Sequence, residues 1–215
     1  MNMRREAIEW VRLFEAEEIP IILGAVLRCS ARLRKTSIAE REDRISDRLR
    51  MLLIQDTQLR ELAIIVDREV YVYDDEQEKP TGRLDFRFLS TREAAHSRLY
   101  FAVEAKRLHV TFPSRWDSCV HNYVTDRQGM MCFIEQRYGQ GLASGGMLGY
   151  VFDGDVEKAR LSVGAAILKH HVKLKCTQPF ALVASAIVPG DSRISQTLHN
   201  LAHSRFTIYH LFVGV

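Results

Sequence analysis

Between Gly82 and Leu108 the chain reads GRLDFRFLSTREAAHSRLYFAVEAKRL, and the period of its apolar positions changes along that stretch. Leu84, Phe86 and Phe88 alternate with Arg83, Asp85 and Arg87, the two-residue period of a half-buried strand. The run from Leu99 to Leu108 is more continuously apolar, as in an interior strand, and the polar stretch between the two reads as a helix-tolerant connection. Alternation puts Leu99, Phe101, Val103 and Ala105 on one face, and Tyr100, Ala102, Glu104 and Lys106 on the other. Glu104 and Lys106 therefore point together. If the strands pair with Asp85 opposite, two carboxylates and an ammonium meet at one spot. A hard divalent cation takes oxygen ligands of this kind, and charges inside an apolar strand are costly unless they are partnered.

The rest of the chain supplies elements on either side. Residues 4–18 predict a helix with Ala7, Trp10, Val11 and Phe14 on one side. Pro20 opens a second helix running to about Leu33, apolar nearly all round and so expected to be covered. Ser37-x-x-Glu40 predicts a capping box for a third, whose stripe is Ile38, Ile45, Leu49, Leu52 and Leu53. Glu42 falls inside that stripe, where a carboxylate needs a partner. A β-like run, AIIVDREVYVY, follows, and the polar tract ending in Pro80 and Gly82 reads as a hairpin loop.

Beyond Lys106, Ser114-x-x-Asp117 reads as another capping box for a long helix to about Tyr138, with Val120, Val124, Met131, Ile134 and Tyr138 along one side. Arg127 lies on the same stripe, placed either to snorkel or to reach towards the site. A glycine-rich loop (GQGLASGG) precedes a short strand, Met147 to Phe152, and Asp155 is a good cap for a helix to about His170. Ala181 to Val188 and Phe206 to Val213 predict strands, and Arg193 to His203 a short helix.

Composition narrows the class. The chain has 215 residues, 47% of them hydrophobic, enough for a core of its own. Its four cysteines, Cys29, Cys119, Cys132 and Cys176, are scattered without paired spacing, as in core residues of a reduced cytoplasmic protein. No signal peptide or membrane-spanning run is legible. The net charge of +3 says little, but its distribution says more. After Asp155 there are seven Lys and Arg against two acids, which leaves the remainder of the chain slightly acidic. Lys169, Lys173 and Lys175 concentrate that charge and are the candidate nucleic-acid contacts.

Asp85, eighteen residues, then Glu104-x-Lys106 resembles the motif of the PD-(D/E)xK nuclease superfamily, the restriction-endonuclease-like fold. Leu84 stands where the family name has Pro, a frequent departure in that superfamily. The resemblance covers roughly Ser37 to His171, through the order helix, three strands, helix, strand, helix. It implies an α/β fold, a central mixed sheet flanked by helices; the two N-terminal helices read as a helical extension over residues 1–35, ahead of a nuclease-like domain over 36–215. It also implies Mg²⁺ (or Mn²⁺) held by Asp85, Glu104 and the Ala105 carbonyl, with Lys106 polarising the attacking water and Glu42 contributing from the first core helix. The implied activity is a metal-dependent (endo)deoxyribonuclease, on DNA in preference to RNA, in restriction, antiviral defence or repair, with a second copy or a companion protein as further partners.

Other chemistries fail on inspection. HNLAH, holding His199 and His203, lacks the Glu of a zinc protease motif, and no G-x-S-x-G elbow exists for a serine triad. The glycine-rich loop lacks the Lys-Ser/Thr of a P-loop. Two alternatives stand beside the nuclease: a degenerate member that binds nucleic acid or a partner without cutting, and an interaction subunit whose E-x-K is coincidental.

Overall fold

A computed structural model of the chain describes residues 18–73, 80–90, 100–138, 142–202 and 204–215. Helix α1 (Ile19–Ser30) is followed by α2 (Glu42–Ile54) and the short α3 (Thr57–Glu61). Strands β1 (Ile64–Tyr73), β2 (Pro80–Ser90) and β3 (Phe101–Leu108) come next, then a small hairpin of β4 (Val110–Thr111) and β5 (Trp116–Asp117). Helices α4 (Val120–Val124) and α5 (Met131–Ile134) lead to β6 (Ser144–Val151) and α6 (Val156–Lys169). The chain closes with β7 (Val183–Ala184), β8 (Ile194–Asn200) and β9 (Arg205–Gly214). Residues 4–17 of the predicted first helix, the hairpin tip at 74–79, the polar connection and strand start over 91–99, residues 139–141 and His203 lie outside the described residues.

The class is α/β, as the sequence implied. Seven strands form one mixed sheet in the order β1-β2-β3-β6-β9-β8-β7. The pairs β1–β2 and β2–β3 are antiparallel, β3–β6 and β6–β9 parallel, and β9–β8 and β8–β7 antiparallel. Helices cover both faces. On one, Leu23, Val26, Ile45 and Leu49 pack on Phe86, Phe88, Val103, Ala105 and Leu211. On the other, Val124, Phe133, Val163 and Ile167 pack on Ala102, Met147, Val151 and Phe212. The helix expected to be covered is covered: in α1 Ile22, Leu23, Ala25 and Val26 are fully buried.

Five local expectations are overturned. The third helix starts at Glu42, not at Ser37, and leaves Ile38 60% exposed. Glu40 is drawn off the cap by Arg48, 2.5 Å away, and accepts the Thr36 amide at 2.7 Å. The long helix to Tyr138 is two short ones. Cys119 turns left-handed before α4 (φ 54°), Asp126 accepts the Gln128 amide at 2.8 Å, and Gly129 lies against the Asn122 and Tyr123 carbonyls, ending the helix there. Asp117 caps by accepting the Cys119 amide, but from a hairpin strand. Residues 194–200 form a strand, because they complete the sheet against β9 in an unbroken antiparallel register. Most of 181–188 forms no strand; only Val183 and Ala184 pair with β8.

Two smaller differences bear on the site. Leu84 packs on the opposite side of the sheet from Phe86 and Phe88. The switch falls where Glu69, across the hairpin between the pairs Arg68–Phe86 and Val70–Leu84, adopts φ 55°. In the glycine-rich stretch, Gly145 and Gly146 belong to β6: a Cβ at Gly145 would lie 2.4 Å from the Phe133 ring.

Candidate functional site

The ladder between β2 and β3 ends at Phe86–Val103. Beyond it the two strands splay, and side chains fill the gap. Asp85 takes over a strand partner's role: its Oδ2 accepts the Ala105 amide at 2.9 Å. Tyr138 spans the gap, with its hydroxyl 2.8 Å from the Arg83 carbonyl on β2 and 2.8 Å from Glu104 Oε2 on β3. Parallel pairing of β3 with β6 continues through Lys106 and Leu108, so Glu104 and Lys106 stand on a fixed strand.

Lys106 is the centre. Its Nζ donates to Glu104 Oε1 at 2.6 Å, to the Ala105 carbonyl at 2.7 Å and to Glu42 Oε1 at 3.2 Å, with Asp85 Oδ2 at 3.8 Å. Glu42 reaches in from the first turn of α2, and its other oxygen accepts the Arg107 amide at 2.9 Å. The structure thus gathers Asp85, Glu104, Lys106, Ala105 and Glu42, every candidate of the motif, around one ammonium. Glu42 also answers the question its stripe position posed: its partners are the Lys106 ammonium and a backbone amide.

The electrostatics follow from burial. Glu104 is 3% exposed and Lys106 8%. Burial first, then the neighbouring Asp85 charge, pushes the Glu104 carboxyl well above the usual carboxylate range, against the pull of Lys106 and Tyr138. Glu42 is raised in the same way, mainly by desolvation. Burial alone would lower Lys106, but Glu104, Glu42 and Asp85 together hold it above its ordinary value. Three carboxyls share one cation, so the cluster has a shortage of positive charge.

A cleft of about 210 Å³ opens beside it. Glu42, Lys106 and Arg107 form one wall, and Asn122, Asp126 and Gln128 of the α4–α5 connection form the other, with Cys119 between. Apolar spacing carries no sign of that second wall, because a continuous helix would turn these side chains elsewhere. Tyr138 was legible only as an apolar stripe position. Arg127, expected on that stripe, is exposed in the connection. Lys169, Lys173 and Lys175 are exposed around the C-terminal end of α6. Lys173 Nζ donates to the Thr125 carbonyl at 3.0 Å, which ties this basic tract to the cleft's outer wall.

His199 is buried on β8, away from a helix, in a chain with Thr197, His210 and Tyr123. His199 Nδ1 donates to the Leu174 carbonyl at 2.8 Å, so its Nε2 must accept from Thr197 at 2.7 Å. Thr197 then accepts from His210 Nε2 at 2.9 Å, and His210 Nδ1 accepts from Tyr123 at 3.1 Å. Burial lowers His199 to about 4 and His210 to about 3, so both are neutral. All four cysteines are free thiols, and burial raises each.

No protein-family model matches the chain, and no curated protein or solved structure matches it either. Among the described residues, no helix is long and apolar enough to cross a membrane. Among them, too, no group of three or more His, Cys, Asp or Glu side chains is disposed to hold a metal ion as it stands.

Proposed function

We propose that this chain is a metal-dependent nuclease of the PD-(D/E)xK kind that hydrolyses phosphodiester bonds in DNA. The observation that carries the reading is the convergence of Asp85, Glu104, Glu42 and the Ala105 carbonyl on one buried cation within 3.8 Å. The element order α2-β1-β2-β3, then helices and the parallel strand β6, is the order the resemblance implies.

The donor set fits Mg²⁺ or Mn²⁺. It is all oxygen, it carries more negative charge than one ammonium balances, and the ammonium already marks a cation's place among those atoms. Asp85, Glu104 and the Ala105 carbonyl would hold the ion, which when bound lowers the pKa of a water and neutralises charge on the scissile phosphate. The chain's own contribution is order and charge. The Ala105 amide fixes Asp85, β6 fixes the strand bearing Glu104, and Glu42 and Glu104 hold Lys106 protonated, where its ammonium can face a phosphate entering through the cleft. Lys169, Lys173 and Lys175 would carry the flanking backbone.

The degenerate reading has two observations in its favour. Lys106 lies among the carboxylates, and no metal-ready group of three or more exists among the described residues. A single experiment separates the two. Circular and linear DNA are incubated with wild type and with Asp85→Asn, Glu104→Gln and Lys106→Ala, with Mg²⁺ or EDTA. Mg²⁺-dependent cutting by wild type alone supports the nuclease; DNA binding without cutting supports the degenerate form. Cleavage that all three variants retain would remove the site assignment.

A further inference from the structure

We infer that Tyr138 is the positioning residue for the Glu104 carboxylate, an assignment that rests on the metal-centre reading above. The motif contains no tyrosine, and the place of Tyr138 comes from the tertiary structure alone. Its hydroxyl bridges β2 and β3 where their ladder has ended, 2.8 Å from the Arg83 carbonyl and 2.8 Å from Glu104 Oε2. Lys106 engages only the other oxygen, Oε1. The hydroxyl has one proton for these two acceptors; given to the ionised Glu104 it ties Oε2 while Lys106 ties Oε1, and one carboxylate orientation is presented to a cation.

The segment that delivers the tyrosine is built for that placement. After α5 the chain turns through Gln136 in the left-handed region, φ 55°. A non-glycine residue held there is strained, and such positions persist where the surroundings over-determine them. The surroundings here are specific. The Arg137 amide donates to the Cys132 carbonyl at 2.9 Å, and the Arg137 carbonyl accepts the Thr81 hydroxyl at 3.0 Å, pinning the segment to the start of β2. Phe133 meets the Tyr138 ring edge-on with centroids 5.5 Å apart. Gly82 closes the other side: a Cβ there would stand 2.6 Å from Tyr138 Cε1. The ring has room for one position, and that position puts its hydroxyl on Glu104.

Partners that orient metal-ligating side chains change metal affinity by about 10- to 100-fold when removed. The test therefore reads metal binding as well as cleavage. Mn²⁺ is titrated calorimetrically into the full chain, wild type, Tyr138→Phe and Gly82→Ala, and Mn²⁺-dependent DNA cleavage is followed in parallel. Tyr138→Phe keeps the ring and loses only the bridge. It should bind Mn²⁺ roughly 10- to 100-fold more weakly, shift the Mn²⁺ concentration for half-maximal cleavage by the same factor, and leave the KM for DNA unchanged. Gly82→Ala, which displaces the ring without touching the hydroxyl, should shift Mn²⁺ affinity in the same direction, and it serves if Tyr138→Phe folds poorly. A tyrosine with a merely structural role would lower the melting temperature and leave Mn²⁺ affinity alone; that result overturns the inference while wild type still binds and cuts. Wild type that neither binds Mn²⁺ nor cuts overturns the metal-centre reading and this inference with it.

Discussion

Lys106 and its three carboxyls set the residue scale. Replacing Asp85 by Asn or Glu104 by Gln removes one negative charge from a cluster that has too many; the Ala105 amide and Lys106 each keep an oxygen to bond, and Tyr138, donating to the Arg83 carbonyl, accepts from the new side-chain amide. Mg²⁺-dependent cleavage should be abolished in both, and the melting temperature without metal should be unchanged or higher; a fall of many degrees in a calorimetric scan would contradict this. Lys106→Ala should lose cleavage but still bind metal. Glu42→Gln keeps one acceptor for the Arg107 amide, so it should cost activity with little loss of stability. A second residue-scale prediction concerns pH. His199 and His210 have their pKa lowered in the fold, to about 4 and about 3, against about 6.5 in an unfolded chain. Above pH 6.5 they are neutral in both states and contribute nothing to pH dependence. Below it the unfolded chain takes up protons that the folded chain refuses, so stability falls as pH drops towards 4, by about 1.4 kcal/mol per pH unit for each histidine. Glu104 and Glu42, raised in the fold, pull the other way. Urea unfolding of the Glu42→Gln, Glu104→Gln double variant between pH 7 and pH 5 isolates the histidines, and a flat profile would refute the assignment.

Elements decide where the cleft is. The break between α4 and α5 turns Asn122, Asp126 and Gln128 into the wall facing Lys106, and Gly129 is what permits the break. A Cβ at Gly129 would lie 2.3 Å from the Asn122 carbonyl oxygen and 2.4 Å from that of Tyr123, both backbone atoms that cannot swing away. Gly129→Ala should therefore cost about 3 kcal/mol or more, at the upper end of overpacking penalties, and should lower cleavage through loss of the wall. Gly145→Ala meets the Phe133 side chain instead, which can move, so its cost should be smaller. Chemical denaturation of the two variants side by side checks the ranking. The apolar residues from Val120 to Tyr138 do keep helical spacing, but that spacing carries no sign of a glycine packed on the preceding turn, which ends the helix.

At the scale of the whole molecule, the sheet places β3 between β2 and β6, with helices on both faces, and leaves the cleft at the splayed end of β2 and β3. The basic tract of Lys169, Lys173 and Lys175 stands at the far end of α6, joined to the cleft's outer wall by the Lys173–Thr125 bond. If it carries the DNA backbone, each phosphate neutralised contributes a slope of about −0.9 to the dependence of log affinity on log salt. Changing all three lysines to Ala should weaken binding to every sequence alike and flatten that slope by about two to three units, without altering single-turnover cleavage of saturated enzyme. Fluorescence anisotropy over a salt series reads both, and unchanged affinity and slope would place the DNA elsewhere.

The features legible from residue spacing are local and periodic. Two-residue alternation fixed which residues of β3 share a face, and hence that Glu104 and Lys106 point together; Asp155 did cap α6, accepting the Lys158 amide at 3.0 Å. The stripe of α2 singled out Glu42 as an acid in need of a partner. Tertiary contacts settled the rest, because they join residues outside the spacing of a helix turn or a single strand. Residues 194–200 became a strand because β9 offered them a free edge. Glu40 left its capping role because Arg48 outbid the amide it was expected to hold. Tyr138 came to Glu104, thirty-four positions away, because two strands separate there and one hydroxyl fits the gap. Side-chain period is a property of neighbours along the chain; the gap between β2 and β3 is a property of how the sheet ends.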